Sequence, residues 1–168
     1  ALPDELAAPA FLCALGIAVD DSDILLQTPL TREFCQNVEP LEQRRERLTV
    51  LGAPTMRGRR DLAQHFVVSC FLTAAHGSLA AEAAGVAKEL LDAKRGSGFS
   101  FADLAADKAG VAFAARILAQ KTRCRGLADT FSVADYMPSV AQLPEGIGWD
   151  EFVAKYGGEF NPKFQQLT

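Results

Sequence analysis

Apolar positions crowd most densely in the middle of the chain. From Leu62 to Leu72 only Gln64, His65 and Ser69 interrupt them, a run too long for a strand and readable as a helix buried around most of its circumference. Asp61 stands in front as a candidate cap and Gly77 behind as a stop, so the pattern predicts a helix over about 61–76. Ser78 offers a cap for a second helix over 78–94, closed by Gly96, Ser97 and Gly98. Ser100 and Asp103, three apart before an apolar run, form a capping-box-like helix start and open a third helix over 101–121. The expected fold is all-α, with these three helices as an antiparallel core joined by tight turns.

The flanks are less regular. Residues 1–40 carry Pro3, Pro9, Pro29 and Pro40, which leave room for short helices over 10–19 and 31–37. A charged helix over 41–51 ends at Gly52, Ala53 and Pro54. Beyond Arg125 the pattern predicts short helices over 132–136 and 149–156, separated by a loop through Pro138 and Pro144. Phe131, Tyr136, Trp149, Phe152, Tyr156, Phe160 and Phe164 lie in this part, which suits an arm that wraps the bundle and covers apolar surface. A chain of 168 residues then reads as one domain: an N-terminal extension (1–58), a helical core (59–124) and a C-terminal arm (125–168).

Placed at 100° per residue, Asp61, His65, Ser69, Thr73 and His76 share one sector of about 120°. Leu62 and Leu72 lie in that same sector, so it is not a plain solvent stripe, and His65 and Ser69 need partners. On the third helix Lys108, Arg116 and Gln120 mark the wet side, while Asp107 points inward beside Gly110 and Ala114. An inward carboxylate requires a cation, a histidine or several hydrogen bonds. On the second helix Lys88, Glu89 and Asp92 share a face with Gly85, and Lys88 and Asp92 are spaced to pair. That face reads either as solvated or as enclosing His65 and Asp107.

Alanine is concentrated between residues 74 and 119, which favours packed helices over sheet. The net charge of −4 argues against a nucleic-acid surface, yet Arg44, Arg45, Arg47, Arg57, Arg59 and Arg60 face a single acid, Glu46, between residues 43 and 60. They are expected either on a solvated face or on a patch that binds anions or a membrane surface. No stretch reaches the length of a membrane span. The chain begins at Ala1 without a signal-peptide plan, which fits a removed leader or a trimmed chain, and a periplasmic, envelope-associated or secreted location is expected. Of the four cysteines, Cys35 and Cys124 sit among polar neighbours and are the first candidate disulfide, with Cys13 to Cys35 the second; four reduced thiols are the alternative. Nothing has the Cys/His spacing of a zinc site, and no metal or cofactor is expected.

The run HFVVS (65–69), then Gly85, Lys88, Glu89 and Asp92, then GSGFSFADLAAD (96–107) and Gly110 resembles the small bacterial envelope proteins of unknown function typified by the YfiM lipoprotein. The likeness covers about 61–114, and the GSGFS element with its following Asp, Leu and Gly is the most specific part. It implies an envelope location and a helical hairpin core, and carries no assigned reaction. The shared polar residues are His65, Ser69, Lys88, Glu89, Asp92, Asp103 and Asp107.

Three functional classes follow. A structural or protein-interaction domain would use Ser100 and Asp103 as a cap, Lys88 and Asp92 as an ion pair and the remaining polar residues to tie helices together, with an unidentified protein partner or a homodimer through the alanine-rich faces. A metal-dependent or hydrolytic enzyme would draw on His65, Glu89, Asp92 and Asp107, or on Ser69 with His65 as nucleophile and base. An anion or membrane-surface binder would use the arginines.

Overall fold

The computed structural model describes residues 3–120 and 126–166, and every regular element among them is a helix. In chain order these are α1 (Asp4–Val19), α2 (Ile24–Gln27), α3 (Pro29–Val38), α4 (Leu41–Leu51), α5 (Arg60–His76), α6 (Ser78–Arg95), α7 (Phe101–Gln120), α8 (Leu127–Thr130), α9 (Val133–Tyr136), α10 (Trp149–Tyr156) and α11 (Pro162–Gln165). Among the described residues, no helix is long and apolar enough to cross a membrane.

The chain reverses at Gly77, which ends α5 and begins α6 with φ of 87°. Neither Asp61 nor Ser78 caps its helix. Arg59 and Gly77 hold the cap positions, and Asp61 lies in the first turn of α5, where its charge suits the helix N-terminus. Gly85 of α6 faces Asp107 of α7, and Glu89 reaches back to Ser100, so α6 runs antiparallel to α7. His65 and Ser69 meet Asp107, whereas Phe66 and Cys70 meet Gly110, so residue numbers climb together on α5 and α7 and the two run parallel.

The 1–58 segment is more than an extension. Its α1 begins well before the expected residue 10 and runs through Pro9 to pack on α5, burying Ala8, Leu12 and Ile17. Pro9 removes one backbone donor near the helix start, where few bonds precede it, and the buried positions on either side keep the helix in place. Asp21 meets Arg60 and Gln64 while Gly16 meets Phe71, so α1 runs antiparallel to α5. The central helix α5 is thus covered by α1, α6 and α7, and it buries Leu62, Phe66, Val67, Cys70 and Phe71.

Each of the three helix-interior glycines marks one close helix contact. A Cβ on Gly16 would lie 2.6 Å from Phe71 Cβ, one on Gly85 2.6 Å from Asp107 Oδ2, and one on Gly110 2.3 Å from the Phe66 carbonyl oxygen. These approaches join α1 to α5, α6 to α7 and α7 to α5.

The arm seats on the α6–α7 turn. Phe99 N donates to Ile147 O at 2.8 Å and Ile147 N to Phe99 O at 3.1 Å, and Phe101 N donates to Pro144 O at 3.0 Å. Phe99 is fully buried among Ile147, Phe152 and Phe164, a second core built from the arm's aromatic residues. Gly98, with φ of 89°, lies so close to Gly146 that a Cβ would fall 2.3 Å from its carbonyl carbon.

Candidate functional site

The polar residues singled out on the three core helices converge. His65 Nδ1 lies 3.1 Å from Asp107 Oδ1, and the Ser69 hydroxyl donates to the same oxygen at 2.8 Å. The other ring nitrogen, Nε2, faces Asp103 Oδ2 at 3.5 Å. From α6, Glu89 accepts from Ser100 N at 2.9 Å through Oε2 and from Lys88 Nζ at 2.9 Å through Oε1. Lys88 also donates to Asp92 at 2.8 Å. Glu89, Asp107 and Ser69 are buried, and Lys88 and Asp92 form the wetter margin.

The capping box is only half made. Ser100 Oγ accepts from Asp103 N at 3.1 Å, but the return bond to Ser100 N comes from Glu89 instead of Asp103. The buried Glu89 carboxylate on α6 takes over that donor, which frees the Asp103 side chain to turn toward His65. Asp103 thus keeps its place in the cap through its backbone N–H, while its side chain joins the cluster. Its role was hidden because the substituting group comes from another helix.

Arg59 closes one side of the cluster. It bonds Asp61 at 2.5 Å and Glu145 at 2.7 Å and lies 3.6 Å from Asp103 Oδ1. Glu145, from the arm, also accepts from Ser100 Oγ at 3.4 Å. The arm therefore touches the site through a residue with no signal in the local sequence pattern.

Burial and partners set the charges. Burial pushes the Asp103 carboxyl above the ordinary carboxylate range, with His65 and Lys88 opposing it. Burial likewise raises Glu89 against the pull of Lys88. For His65 burial works downward, but the hydrogen bond and charge of Asp107, with Asp103 beyond, outweigh it and hold the imidazole above its usual value. Lys88 is also raised, because Asp92 and Glu89 overcome its desolvation.

The geometry does not form a nucleophilic triad. Such a triad places the imidazole between hydroxyl and carboxylate, so that the ring can take the hydroxyl proton. Here the carboxylate of Asp107 stands between Ser69 and His65 and binds both. Thr73, one turn along from Ser69, bonds back to the Ser69 carbonyl at 2.7 Å, and His76 is exposed at the end of α5. An open groove of about 500 Å³ does exist, but it lies along the arm between Trp149 and Pro162.

Five of the six arginines between residues 44 and 60 are bonded within the chain. Arg44 is buried and paired with Asp20, Asp23 and Glu39, and also donates to the Ser22 carbonyl. Arg47 bonds Glu39 at 2.6 Å and 2.9 Å and caps carbonyls at the end of α1. Arg57 donates to the Met137 carbonyl and Arg60 to Asp21. With Arg59 also engaged, Arg45 is the member of the group left as a plain exposed cation on α4. Arg44, Arg47 and Arg59 serve as internal ties, paired with acids from the 20–23 turn, with Glu39 just after α3, with Asp61 and with Glu145 of the arm, while Arg45, Arg57 and Arg60 remain exposed.

Cys13, Cys35 and Cys70 are free thiols, so the Cys13 to Cys35 bridge is not formed. Cys124 lies outside the described residues, and with it the Cys35 to Cys124 pairing. Cys35 is buried despite its polar sequence neighbours, because Thr31 and Cys35 lie one turn apart on the inward face of α3. Compared with protein-family models, with curated proteins and with solved structures, the chain matches none of them.

Proposed function

We propose that this chain is a helical domain of the bacterial envelope or its secreted space with a structural, protein-interaction role, in which the buried polar cluster locks the helices in register. The observation that carries this reading is that the cluster's bonds run between helices: α5 to α7 through His65, Ser69 and Asp107, and α6 to α7 through Glu89 and Ser100. A group of this kind specifies one packing arrangement among helices whose alanine-rich faces would otherwise slide. The envelope location is supported by the resemblance of residues 61–114 to the YfiM-type proteins.

Thermal melting of His65→Ala and Asp107→Asn tests the reading. Each variant should lose about 1–3 kcal/mol, the cost of a buried hydrogen-bonded group left without its partner. If both melt with the parent protein, the lock does not exist.

A further inference from the structure

We infer that the α5/α6/α7 junction is a binding site for one divalent transition-metal ion, Mn²⁺ or Zn²⁺, held by His65, Glu89 and Asp103. One nitrogen and one carboxylate oxygen from each acid lie within 4.8 Å of one another. Donors that share such an ion at bond lengths of roughly 2.0–2.2 Å stand about 3–4 Å apart, and the His65 Nε2 to Asp103 Oδ2 separation of 3.5 Å already has that value. Small rotations of Glu89 and Asp103 close the remainder.

Three independent features point to a cation. The first is hydrogen bonding: Asp107 Oδ2 is buried and accepts no hydrogen bond, and Asp107 is only 4% exposed, its free oxygen turned into the junction against Gly85. Buried carboxylate oxygens normally have partners, so this one signals missing positive charge. The second is charge balance, since the ion-pair network joins six carboxylates, Asp61, Glu89, Asp92, Asp103, Asp107 and Glu145, to the two permanent cations Arg59 and Lys88 and to His65.

The third is ring orientation. Asp107 occupies Nδ1, which leaves Nε2, facing Asp103, as the nitrogen that an ion would take in place of its proton. That is the arrangement in which a carboxylate behind a histidine fixes the tautomer of a metal ligand. Asp107 is itself held by Ser69, and Glu89 by Ser100 N, so two of the three ligands are pre-positioned.

The donor set selects the ion. Ca²⁺ and Mg²⁺ favour all-oxygen shells, whereas an imidazole nitrogen with carboxylates suits Mn²⁺ and Zn²⁺. Lys88 competes for Glu89 Oε1, but its side chain is 35% exposed and Asp92 retains it at the margin when an ion takes Glu89.

Isothermal titration of chelator-treated, dialysed full-length protein with ZnCl₂, MnCl₂, MgCl₂ and CaCl₂ tests the site. The expected result is one Zn²⁺ or Mn²⁺ per chain, and a melting temperature raised by about 5–10 °C at a hundredfold excess over Kd. Mg²⁺ and Ca²⁺ should bind at least tenfold more weakly. Asp103→Asn, a near-isosteric change, should weaken binding at least tenfold. Asp107→Asn should weaken it about 10- to 100-fold by releasing the ring. Lys88→Gln should tighten it by removing the competing ammonium, and His76→Ala should leave it unchanged. Absence of stoichiometric binding in the parent protein, parental affinity in Asp103→Asn, or loss of binding in His76→Ala overturns the assignment. Melting of the metal-free variants reports the helix lock separately, so either proposal can fail alone.

Discussion

Gly110→Ala separates helix propensity from helix contact. Gly110 lies inside α7 with an ordinary helical backbone, so propensity alone favours alanine by about 1 kcal/mol. Packing opposes it. The added Cβ would fall 2.3 Å from the Phe66 carbonyl oxygen, 3.0 Å from the Phe66 carbonyl carbon and 3.0 Å from Ser69 Cβ. The nearest obstacle is the backbone of the central helix, which cannot rotate aside, so α5 and α7 must separate by roughly 1 Å to restore ordinary contact.

Such overpacking costs about 1–3 kcal/mol, and a backbone obstacle places it at the upper end. Set against the propensity gain, the net loss is about 2 kcal/mol, or a fall in Tm of roughly 4–8 °C for a chain of this size. Differential scanning calorimetry at pH 7 measures it, with Gly85→Ala as the comparison. There the obstacle is the Asp107 carboxylate, 2.6 Å away, which can turn at the expense of its bonds to Ser69 and His65, so the loss should be smaller. A Gly110→Ala protein that melts at or above the parent temperature would refute the claim that α5 and α7 are in backbone contact.

Arg44→Met should cost about 3–5 kcal/mol in urea unfolding at pH 7, because it strips the cation from the fully buried Asp20. Adding Asp20→Asn should recover part of that loss, and a double variant less stable than the sum of the two singles would contradict the pairing. Burial tends to raise the Asp21 carboxyl, but hydrogen bonds from Arg60 and Gln64 outweigh it and hold it below its ordinary value, so its stabilising effect is present above the unfolded value of about 3.9 and is lost as pH falls through the folded one. The stability gap between parent and Asp21→Asn, about 1 kcal/mol or less at pH 7, should therefore close below pH 4, and a gap that widens in acid would reverse the sign. Cys70 has no exposed surface and burial pushes its thiol far up, so Ellman's reagent should modify it no faster than the protein unfolds; a rapid native-state reaction would place it at the surface.

What the sequence made legible was local. The three core helices fall within a residue or so of the expected 61–76, 78–94 and 101–121 as far as the described residues reach, because their limits depend on Gly77, Gly96 and an apolar period, all of which act over a few residues. The inward direction of Asp107 was likewise visible on the wheel, since Gly110 and Ala114 share its side. Partners farther along the chain were not. Arg44 stands in a basic run because Asp20 and Asp23 are more than twenty residues away, and of the two acids bonded to Arg59 one, Glu145, is 86 residues away.

The same blindness shaped the reading of Asp103 as a cap. Position three after Ser100 fits the local rule, and only the arrival of Glu89 from the neighbouring helix shows that the cap's second bond is made elsewhere. A helix start that borrows its donor's partner from another helix is weaker as a local signal but stronger as a tie, because α7 cannot lose contact with α6 without exposing the Ser100 amide. The GSGFS segment therefore joins three tasks in five residues: Gly98 admits the arm, Phe99 anchors the aromatic core, and Ser100 joins the start of α7 to Glu89 at the polar junction. A change in any one of these residues would therefore disturb the arm, the aromatic core or the start of α7.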